Sequence, residues 1–564
     1  MKVVLAALNS KYIHMSLAPW YLKSYSGRDS IRVMEFTVNQ DAGDILRDIY
    51  REKPDVLGFS CYIFNIQTVE QILEDIKKVM PEIKIILGGP EVSFDPRDVL
   101  TRCKAVDYVI CSAGEIPFKK LLDELESGRE PEKIGGVALR AGNGILCNPP
   151  DVPLSRSLAA IPSPYTDEML AQAKGKILYF ETSRGCPFHC SYCLSSESGG
   201  VRYFPMERVR RDLKTIALSE VRQVKFVDRT FNCNSSRAKE IFRYLIDLSQ
   251  SLGENHFKNY HFEAAADLFD DEMIELLSHA PEGLFQFEIG IQSFNEPTLD
   301  ACGRKTDLSV CANYISRLLE AGNIHIHLDL IAGLPLEDLP TFAHSFNSVY
   351  ALRPHCIQLG FLKLLKGSGM RRDARRHSID YSARPPYEVL QTASMSFDDL
   401  IFLKSIDFCV DRLYNSEKFS QSLKFLISRS ESPFRLFSDF SAFLNGKPEN
   451  GISLKNLYGL LYHFAEQSLR PDDLDVFNEF IKYDYFSSDN SCNPPREIKR
   501  CIDPQIKQLY AGLKPGGERV HFERFEIDPL DSTKKFPERK ETVLRFDYGR
   551  RNRVTGLYGV TPIS

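Results

Sequence analysis

The sequence predicts an α/β protein built in three consecutive parts: an N-terminal doubly wound parallel sheet (Rossmann-like), a second strand–helix succession, and a mainly α-helical C-terminal part. Three observations carry this. Residues 1–150 alternate short β-branched runs with amphipathic stretches, the signature of βαβ units and a parallel sheet. The same alternation resumes at longer spacing after a proline- and serine-rich stretch. Beyond residue 371 it gives way to helical periodicity.

In the first part the expected strands are Lys2–Leu8, Ile31–Val38, Val56–Ser60, Ile83–Leu87 and Tyr108–Ile110, with helices over Asp44–Glu52 and Gln67–Val79. Ligands of such sheets lie beyond the carboxyl ends of the strands. Those ends read Asn9-Ser10-Lys11-Tyr12-Ile13-His14, Ser60-Cys61-Tyr62, Gly88-Gly89-Pro90-Glu91 and Ser112-Ala113-Gly114-Glu115. A linker is expected from Pro149 to about Tyr165, through Leu154-Ser155-Arg156-Ser157 and Ile161-Pro162-Ser163-Pro164. Six further strands follow: Ile177–Thr182, Gln223–Val227, His261–Ala265, Phe285–Ile289, Ile324–Ile331 and Cys356–Leu362, suited to an open sheet or an incomplete barrel. Helices are expected over Pro386–Leu413, Phe419–Arg429, Leu454–Gln467 and Asp473–Tyr483, then a charged, mixed tail. The divisions are therefore 1–150, a linker 151–175, 176–370 and 371–564.

Composition narrows the function classes. With 43% hydrophobic and 26% charged residues, the 564-residue chain is neither a disordered polymer, a collagen nor a coiled coil. Seventy-one basic residues against 76 acidic ones leave a net charge of −5, so nothing global attracts nucleic acid or an anionic membrane. No apolar run approaches the ~20 residues that span a bilayer, and Met1–Leu8 reads as a buried strand rather than as the core of a secretion signal. The 14 cysteines, spread thinly, then suggest reduced thiols and a cytoplasmic location.

Three of those cysteines stand apart. The first strand of the second part runs into Thr182-Ser183-Arg184-Gly185-Cys186-Pro187-Phe188-His189-Cys190-Ser191-Tyr192-Cys193. Thiolates at this spacing on one tight loop can hold an iron–sulfur cube by three of its four irons and leave one iron open. Zinc would want a fourth ligand. His189 could supply it on paper, but loop curvature should turn that ring outward, and Cys233 lies far off without a partner at short spacing.

Cys186, Cys190 and Cys193, with Tyr192 before the last, resemble the cluster motif of the radical S-adenosylmethionine (SAM) superfamily. Phe226-Val227-Asp228-Arg229-Thr230-Phe231-Asn232, Glu288-Ile289-Gly290-Ile291-Gln292-Ser293-Phe294 and Asp329-Leu330-Ile331-Ala332-Gly333-Leu334-Pro335 are similar to strand-end motifs of its subgroup with a preceding cobalamin-binding domain. Leu359–Gly367 and Pro385–Leu390 resemble a group within it whose C-terminal domain, DUF4080-like, has no assigned function. The resemblance implies a partial (β/α)6 barrel, a 4Fe-4S cluster on the three cysteines, SAM chelated at the open iron, and a one-electron donor such as flavodoxin or ferredoxin. It also implies SAM contacts from Asp228, Asn232, Glu263, Glu288, Gln292 and Ser293, although Val227-Asp228-Arg229 replaces the family's usual Gly-Gly-Glu.

For the N-terminal part it implies cobalamin, against Ser60, Gly88 and Gly89, with Tyr12, Tyr62 and Phe64 as candidates to cover the corrin. The Asp-x-His-x-x-Gly motif that supplies a lower histidine ligand is missing, and His14 lacks its orienting carboxylate, so no histidine is expected below the cofactor. The reaction expected by resemblance is methylation of an unactivated carbon. A radical rearrangement or cyclisation, and a non-enzymatic cobalamin or redox sensor, are the alternatives. Lys366–Arg376 is the densest basic patch and reads as a solvated helix start near the barrel mouth rather than a polynucleotide site. Residues 371–564 are expected to close the active site and select the substrate. Cys492 and Cys501 have no metal spacing and read as unrelated thiols.

Overall fold

A computed structural model describes residues 1–111, 113–142, 144–150, 158–444, 451–500, 504–511, 519–531 and 539–563. Ser112, the Leu154-Ser155-Arg156-Ser157 part of the expected linker, and Cys501 lie outside the described residues. The chain divides into two compact units: Met1–Gln286, Leu299–Thr306 and Phe361–Ala393 form the first, and Phe287–Thr298, Asp307–Gly360 and Ser394–Ser564 the second.

The first unit opens with β1 (Val3–Asn9), β2 (Ile31–Thr37), β3 (Val56–Ser60), β4 (Lys84–Gly88), β5 (Tyr108–Ile110), β6 (Val137–Ala141) and β7 (Gly144–Cys147) in the order β2-β1-β3-β4-β5-β6-β7. The first five are parallel, with Val3 opposite both Ile31 and Val56. β1 is buried throughout because helices cover both faces. Val4, Ala6 and Leu8 pack with the helices Ala42–Glu52 and Ile66–Val79, and Val3 and Leu5 with Phe118, Leu121 and Leu122 of the helix Glu115–Glu126. The antiparallel hairpin β6–β7, which the periodicity does not announce, covers the edge of β5. Arg140 fastens it by donating to the carbonyls of Leu100, Cys103 and Val106.

After the helix Asp167–Gln172 come β8 (Ile177–Phe180), the short pair β9 (Ser183–Arg184) and β10 (Arg202–Tyr203), β11 (Gln223–Phe226) and β12 (Asn259–Ala264). β8 and β12 flank β11 in parallel, Gln223 facing both Ile177 and Asn259. Aromatic packing fixes this part: Phe226 and Phe231 lie 4.3 and 4.4 Å from Phe262, ring centre to ring centre. Tyr165, in the expected linker, is buried and donates to the Tyr179 carbonyl at 3.1 Å.

The remaining three strands of this succession are β13 (Phe285–Gln292), whose first two residues close the first unit, then β14 (His325–Ala332) and β15 (Cys356–Phe361), ordered β15-β14-β13. Along β13 the side chains alternate, with Phe287, Ile289 and Ile291 buried and Glu288, Gly290 and Gln292 partly exposed. Back in the first unit, residues 361–393 add the helical turn Gly369–Arg372 and the pair β16 (Asp380–Tyr381) and β17 (Val389–Gln391).

The rest of the second unit is helical over Phe397–Cys409, Ser420–Ile427, Pro433–Leu444, Leu454–Ser468 and Pro471–Ser488. The expected helix from Pro386 therefore starts eleven residues late, at Phe397. Tyr387 takes a left-handed φ of 55° and β17 intervenes, and Ser396 with Asp399 builds a capping box that fixes the real start. The mixed tail forms an antiparallel sheet, β18 (Val520–Ile527), β19 (Arg539–Arg551) and β20 (Tyr558–Ile563). Among the described residues no helix is long and apolar enough to cross a membrane.

Candidate functional site

The loop that carries the three cysteines leaves β8 and is pinned at its root. Asp228, at the end of β11 and 1% exposed, accepts hydrogen bonds from the Thr182 N–H (2.9 Å), the Thr182 hydroxyl (2.6 Å) and the Ser183 hydroxyl (2.5 Å). Burial pushes its carboxyl upward, opposed by these donors. The Asp228 carboxylate is thus spent on holding the loop. Asn232 is likewise spent on backbone, bonding the Ala265 carbonyl at 2.8 Å and N–H at 3.0 Å.

Further along, Gly185 turns the chain at φ 105°, and the Cys193 N–H donates to the Cys190 carbonyl at 3.0 Å. Arg304 points a guanidinium nitrogen at the buried Cys190 sulfur from 3.9 Å, and the Cys186 sulfur is 3.5 Å from the Thr230 hydroxyl. The Ser191 carbonyl receives the Met370 N–H at 2.7 Å, so the segment after β15 packs on the loop. His189 is exposed, and Cys233 meets the Tyr203 hydroxyl at 3.4 Å. None of the three motif cysteines is in a disulfide. Among the described residues no set of three His, Cys, Asp or Glu side chains converges on a point suited to one metal ion. A cluster asks for something else, since its thiolates bind separate irons at separate corners. Three cysteine thiols on one anchored loop, with the Arg304 guanidinium beside them, are the donor set that group requires.

In front of this loop lies a cavity of about 570 Å³. One wall is the carboxyl edge of the first sheet, with Ser10, Ser60, Tyr62, Gly88 and Gly89. The opposite wall carries Tyr179, Glu181, Arg184, Arg229 and Glu263 from the second sheet. The same cavity is also lined by the buried residues Ala6, Gly58, Ile86, Ile110 and Phe118 of the first sheet and the helix Glu115–Glu126. Gly89 has φ 103°, and a Cβ there would stand 2.5 Å from the Cys61 carbonyl oxygen. Only glycine suits that turn. A lining that joins small polar strand ends to buried apolar side chains fits a bulky ligand with a long appendage, as cobalamin is.

His14 also lines this cavity, with Nδ1 2.9 Å from the Tyr179 hydroxyl and its ring stacked on Tyr179. Burial, then Lys225 and Lys11, hold it below the ordinary histidine range, so it is neutral near pH 7. Tyr62 and Phe64 stack 5.5 Å apart on the cavity wall, whereas Tyr12 is 74% exposed and lies outside it. Two side chains of the basic patch are taken up by the fold, Lys366 pairing with Glu91 at 2.9 Å and Arg371 lying over the Tyr387 ring, while Arg372, Arg375 and Arg376 are exposed, as a solvated helix start would have them.

Glu288, Gln292 and Ser293 belong to the second unit. Ser293 is fully buried and donates to Glu337 at 2.6 Å, and Ser345 donates to the same oxygen at 2.8 Å. Burial pushes the Glu337 carboxyl up to about 7. Gln292 holds a left-handed φ of 74° with its side-chain oxygen buried. Of the expected binding residues, then, Ser60, Gly88, Gly89 and Glu263 share one cavity, while Asp228, Asn232 and Ser293 are engaged in fixing loops.

Sequence reasoning missed three groups here. Glu35 accepts from the Ser16 N–H, the Asn9 amide and the Trp20 indole and so shapes the loop after β1. Arg184, inside the quoted motif, pairs with Glu115 at 2.6 Å and Glu181 at 2.7 Å, joining the two walls of the cavity. Burial raises Glu181 to about 7. Arg184 is readable as polar within a strand-end motif, but its partners are distant in sequence.

Fold and cysteine loop together define a radical SAM domain preceded by a B12-binding domain. The B12-binding domain family matches residues 3–122 and the radical SAM superfamily 180–348. More particularly, residues 375–514 match DUF4080, a domain of unknown function, so this chain is a cobalamin-binding-domain radical SAM protein with a DUF4080 C-terminal domain. The 2-(S-pantetheinyl)-carbapenam-3-carboxylate methyltransferase of Streptantibioticus cattleyicolor is 27% identical over 396 residues, 64% of this chain and 57% of that protein. The cobalamin-dependent radical SAM methyltransferase TokK of Streptomyces tokunonensis is 26% identical over 64% of this chain and 58% of its own. The chain thus spans less than two thirds of these relatives. Among solved structures, the cobalamin-dependent SAM radical enzyme OxsB with aqua-cobalamin and SAM superposes with TM-score 0.57 at 15% identity, over 86% of this chain and 83% of that one. The methyltransferase TsrM of Kitasatospora setae gives 0.55 at 17% identity, over 69% and 80%. At such identities these two speak for the fold.

Proposed function

We propose that this protein is a cobalamin-dependent radical SAM enzyme that transfers a methyl group to an unactivated carbon. The observation that carries the reading is the single cavity walled on one side by Ser60, Gly88 and Gly89 and on the other by Glu181, Arg184 and Glu263, at the foot of the cysteine loop. The related methyltransferases support it. When bound, a 4Fe-4S cluster with SAM supplies a 5′-deoxyadenosyl radical, and cobalamin carries the methyl group. Cys186, Cys190 and Cys193 hold the cluster, and Asp228 keeps their loop in place through Thr182 and Ser183. Ser60, Gly88 and Gly89 would hold cobalamin, and Glu263, which lines the same cavity, would hold SAM. Packing of residues 361–393 onto the loop, through Met370 and Gly369, helps exclude water from the radical. A one-electron donor of the flavodoxin or ferredoxin class completes the system.

The test is anaerobic reconstitution with iron, sulfide and cobalamin, followed by SAM and reductant. About four irons and one cobalamin per chain, with release of 5′-deoxyadenosine, are expected. Reconstituted protein that holds the cluster yet never cleaves SAM would sink the radical reading. Deleting residues 394–564 should spare deoxyadenosine release and abolish turnover of the native acceptor. Turnover at the intact rate would show that this domain does not select the substrate.

A further inference from the structure

The segment that follows β15 ties together two places of the first unit that lie far apart in sequence, the Gly88-Gly89 turn and the cysteine loop. At the first, Gly89 opens the short helix Pro90–Ser93. The backbone there is fastened locally: the Glu91 N–H reaches the Cys61 carbonyl at 3.3 Å, and the Ser93 hydroxyl donates to the Gly89 carbonyl at 2.7 Å. The Glu91 side chain, 5% exposed, turns to the segment instead. One of its oxygens accepts from the Tyr387 hydroxyl, 296 residues further on, and from the Lys366 ammonium at 2.9 Å. Burial, then the bond to Glu91, keep the Tyr387 hydroxyl protonated and so a donor.

A second contact closes the same seam. Gly367 has φ 87°, and the Phe94 ring lies 2.2 Å from where a Cβ on it would stand, so only glycine lets the two stretches meet.

From this seam to the cysteine loop the segment is one folded piece. Arg371 donates to the Leu364 carbonyl at 2.8 Å and lies 4.6 Å over the Tyr387 ring, while the Leu364 N–H donates to the Tyr387 carbonyl at 2.9 Å. Ser368, fully buried, caps the turn Gly369–Arg372. In that turn the Met370 N–H reaches the Ser191 carbonyl at 2.7 Å, and a Cβ on Gly369 would stand 3.3 Å from the Ser191 Cβ. Ser191 lies between Cys190 and Cys193, and its own N–H is held by the Cys302 carbonyl at 2.8 Å.

A carboxylate is a costly group to bury at such a seam, and removing a partner from a buried pair is strongly destabilising. Both partners of Glu91 come from residues 361–393, so the buried arrangement exists only while turn and segment are docked. Apolar packing alone would hold the seam without making the turn depend on it.

Taking cobalamin as the ligand of the turn, we propose that Glu91 is a positioning residue for it. Latched by Tyr387 and Lys366, Glu91 holds Gly88-Gly89 in its binding shape, and residues 361–393 carry that state to the cysteine loop at Ser191. Cobalamin binding and order in the cysteine loop are then coupled, and each favours the other.

The experiment is amide hydrogen exchange of the full chain before cluster reconstitution, with and without hydroxocobalamin, read by mass spectrometry on peptides covering 58–64, 86–94, 186–193 and 361–393. Exchange should slow in all four, by about fivefold or more in the last two, although neither of those lines the cavity. Protection confined to 58–64 and 86–94 overturns the coupling, and does so in the unaltered chain. Protection in none of the four refutes cobalamin as the ligand, and the role of Glu91 with it. Glu91→Ala should weaken hydroxocobalamin binding about tenfold in an absorbance titration. Glu91→Gln, whose amide oxygen can still accept from both donors, should restore most of it. At saturating hydroxocobalamin, Glu91→Ala should keep the protection of 58–64 and lose that of 186–193. Affinity equal to that of the unaltered chain, or full protection of 186–193 in Glu91→Ala, overturns the positioning role.

Discussion

The two strand–helix regions treat their strands differently. In the first sheet β1 is buried along its whole length, because helices lie on both faces. In the second succession β13 and β14 alternate strictly, with Phe287, Ile289, Ile326 and Leu328 inside and Glu288, His325, His327 and Asp329 on a partly exposed face. A strand covered twice can offer a ligand only its end, which is where Ser60, Gly88 and Gly89 lie. A strand covered once offers a whole polar face. The difference teaches that chemistry must be sought at loops in the first region and along strands as well as loops in the second.

The largest test of this contrast is at the loop. Replacing Cys186, Cys190 or Cys193 by Ala should remove the iron–sulfur absorbance of reconstituted protein, while Cys233→Ala should leave it, and an unchanged iron content in any of the three would refute the assignment. Next in size is a paired substitution across the two kinds of strand. Leu5→Ala, in the doubly covered β1, should cost about 2–5 kcal/mol, and Glu288→Gln should change stability by less than ~0.5 kcal/mol, both read from denaturant unfolding. Equal costs would break the comparison.

A third test is electrostatic. Glu337 has a folded-state pKa of about 7 against an ordinary value of 4.5, so folding favours its protonated form. Its stabilising effect is complete below pH ~4.5 and is lost as pH rises to about 7, by on the order of 3 kcal/mol. Glu337→Gln should flatten that slope in unfolding of the chain at pH 5 and pH 8. A smaller effect, about 1–3 kcal/mol, is expected for Gly89→Ala, together with weaker cobalamin retention on gel filtration. Smallest of all, His14→Ala should leave the electron paramagnetic spectrum of the reduced cobalt unaltered, because Tyr179 already holds Nδ1. A spectral shift would make His14 a ligand.

Much of the architecture was legible from the chain, and for a local reason. β-branched runs, helical periodicity and the triple-cysteine spacing are recorded within a few residues, and so were the strands Val56–Ser60 and Tyr108–Ile110 and the six strand segments of the second succession. Where a local signal misled, as from Pro386 to Ser396, a short strand replaced the expected helix start.

The partnerships were not legible. Asp228 and Ser293 looked like cofactor contacts because polar residues at strand ends look alike in sequence, yet one carboxylate anchors Thr182 and Ser183 and the hydroxyl of the other is held by Glu337. The link from Arg184 to Glu115 spans 69 residues. The sequence by itself determined the five parallel strands of the first sheet, the six strands of the second succession and that three thiols share one loop, since each is a short-range property of residue type and spacing, whereas the hairpin β6–β7 and the tail sheet β18–β20 went unannounced. Only the tertiary structure decided which polar groups bind one another and which face a cavity, because those energies depend on burial and on distances between residues that the chain order keeps far apart.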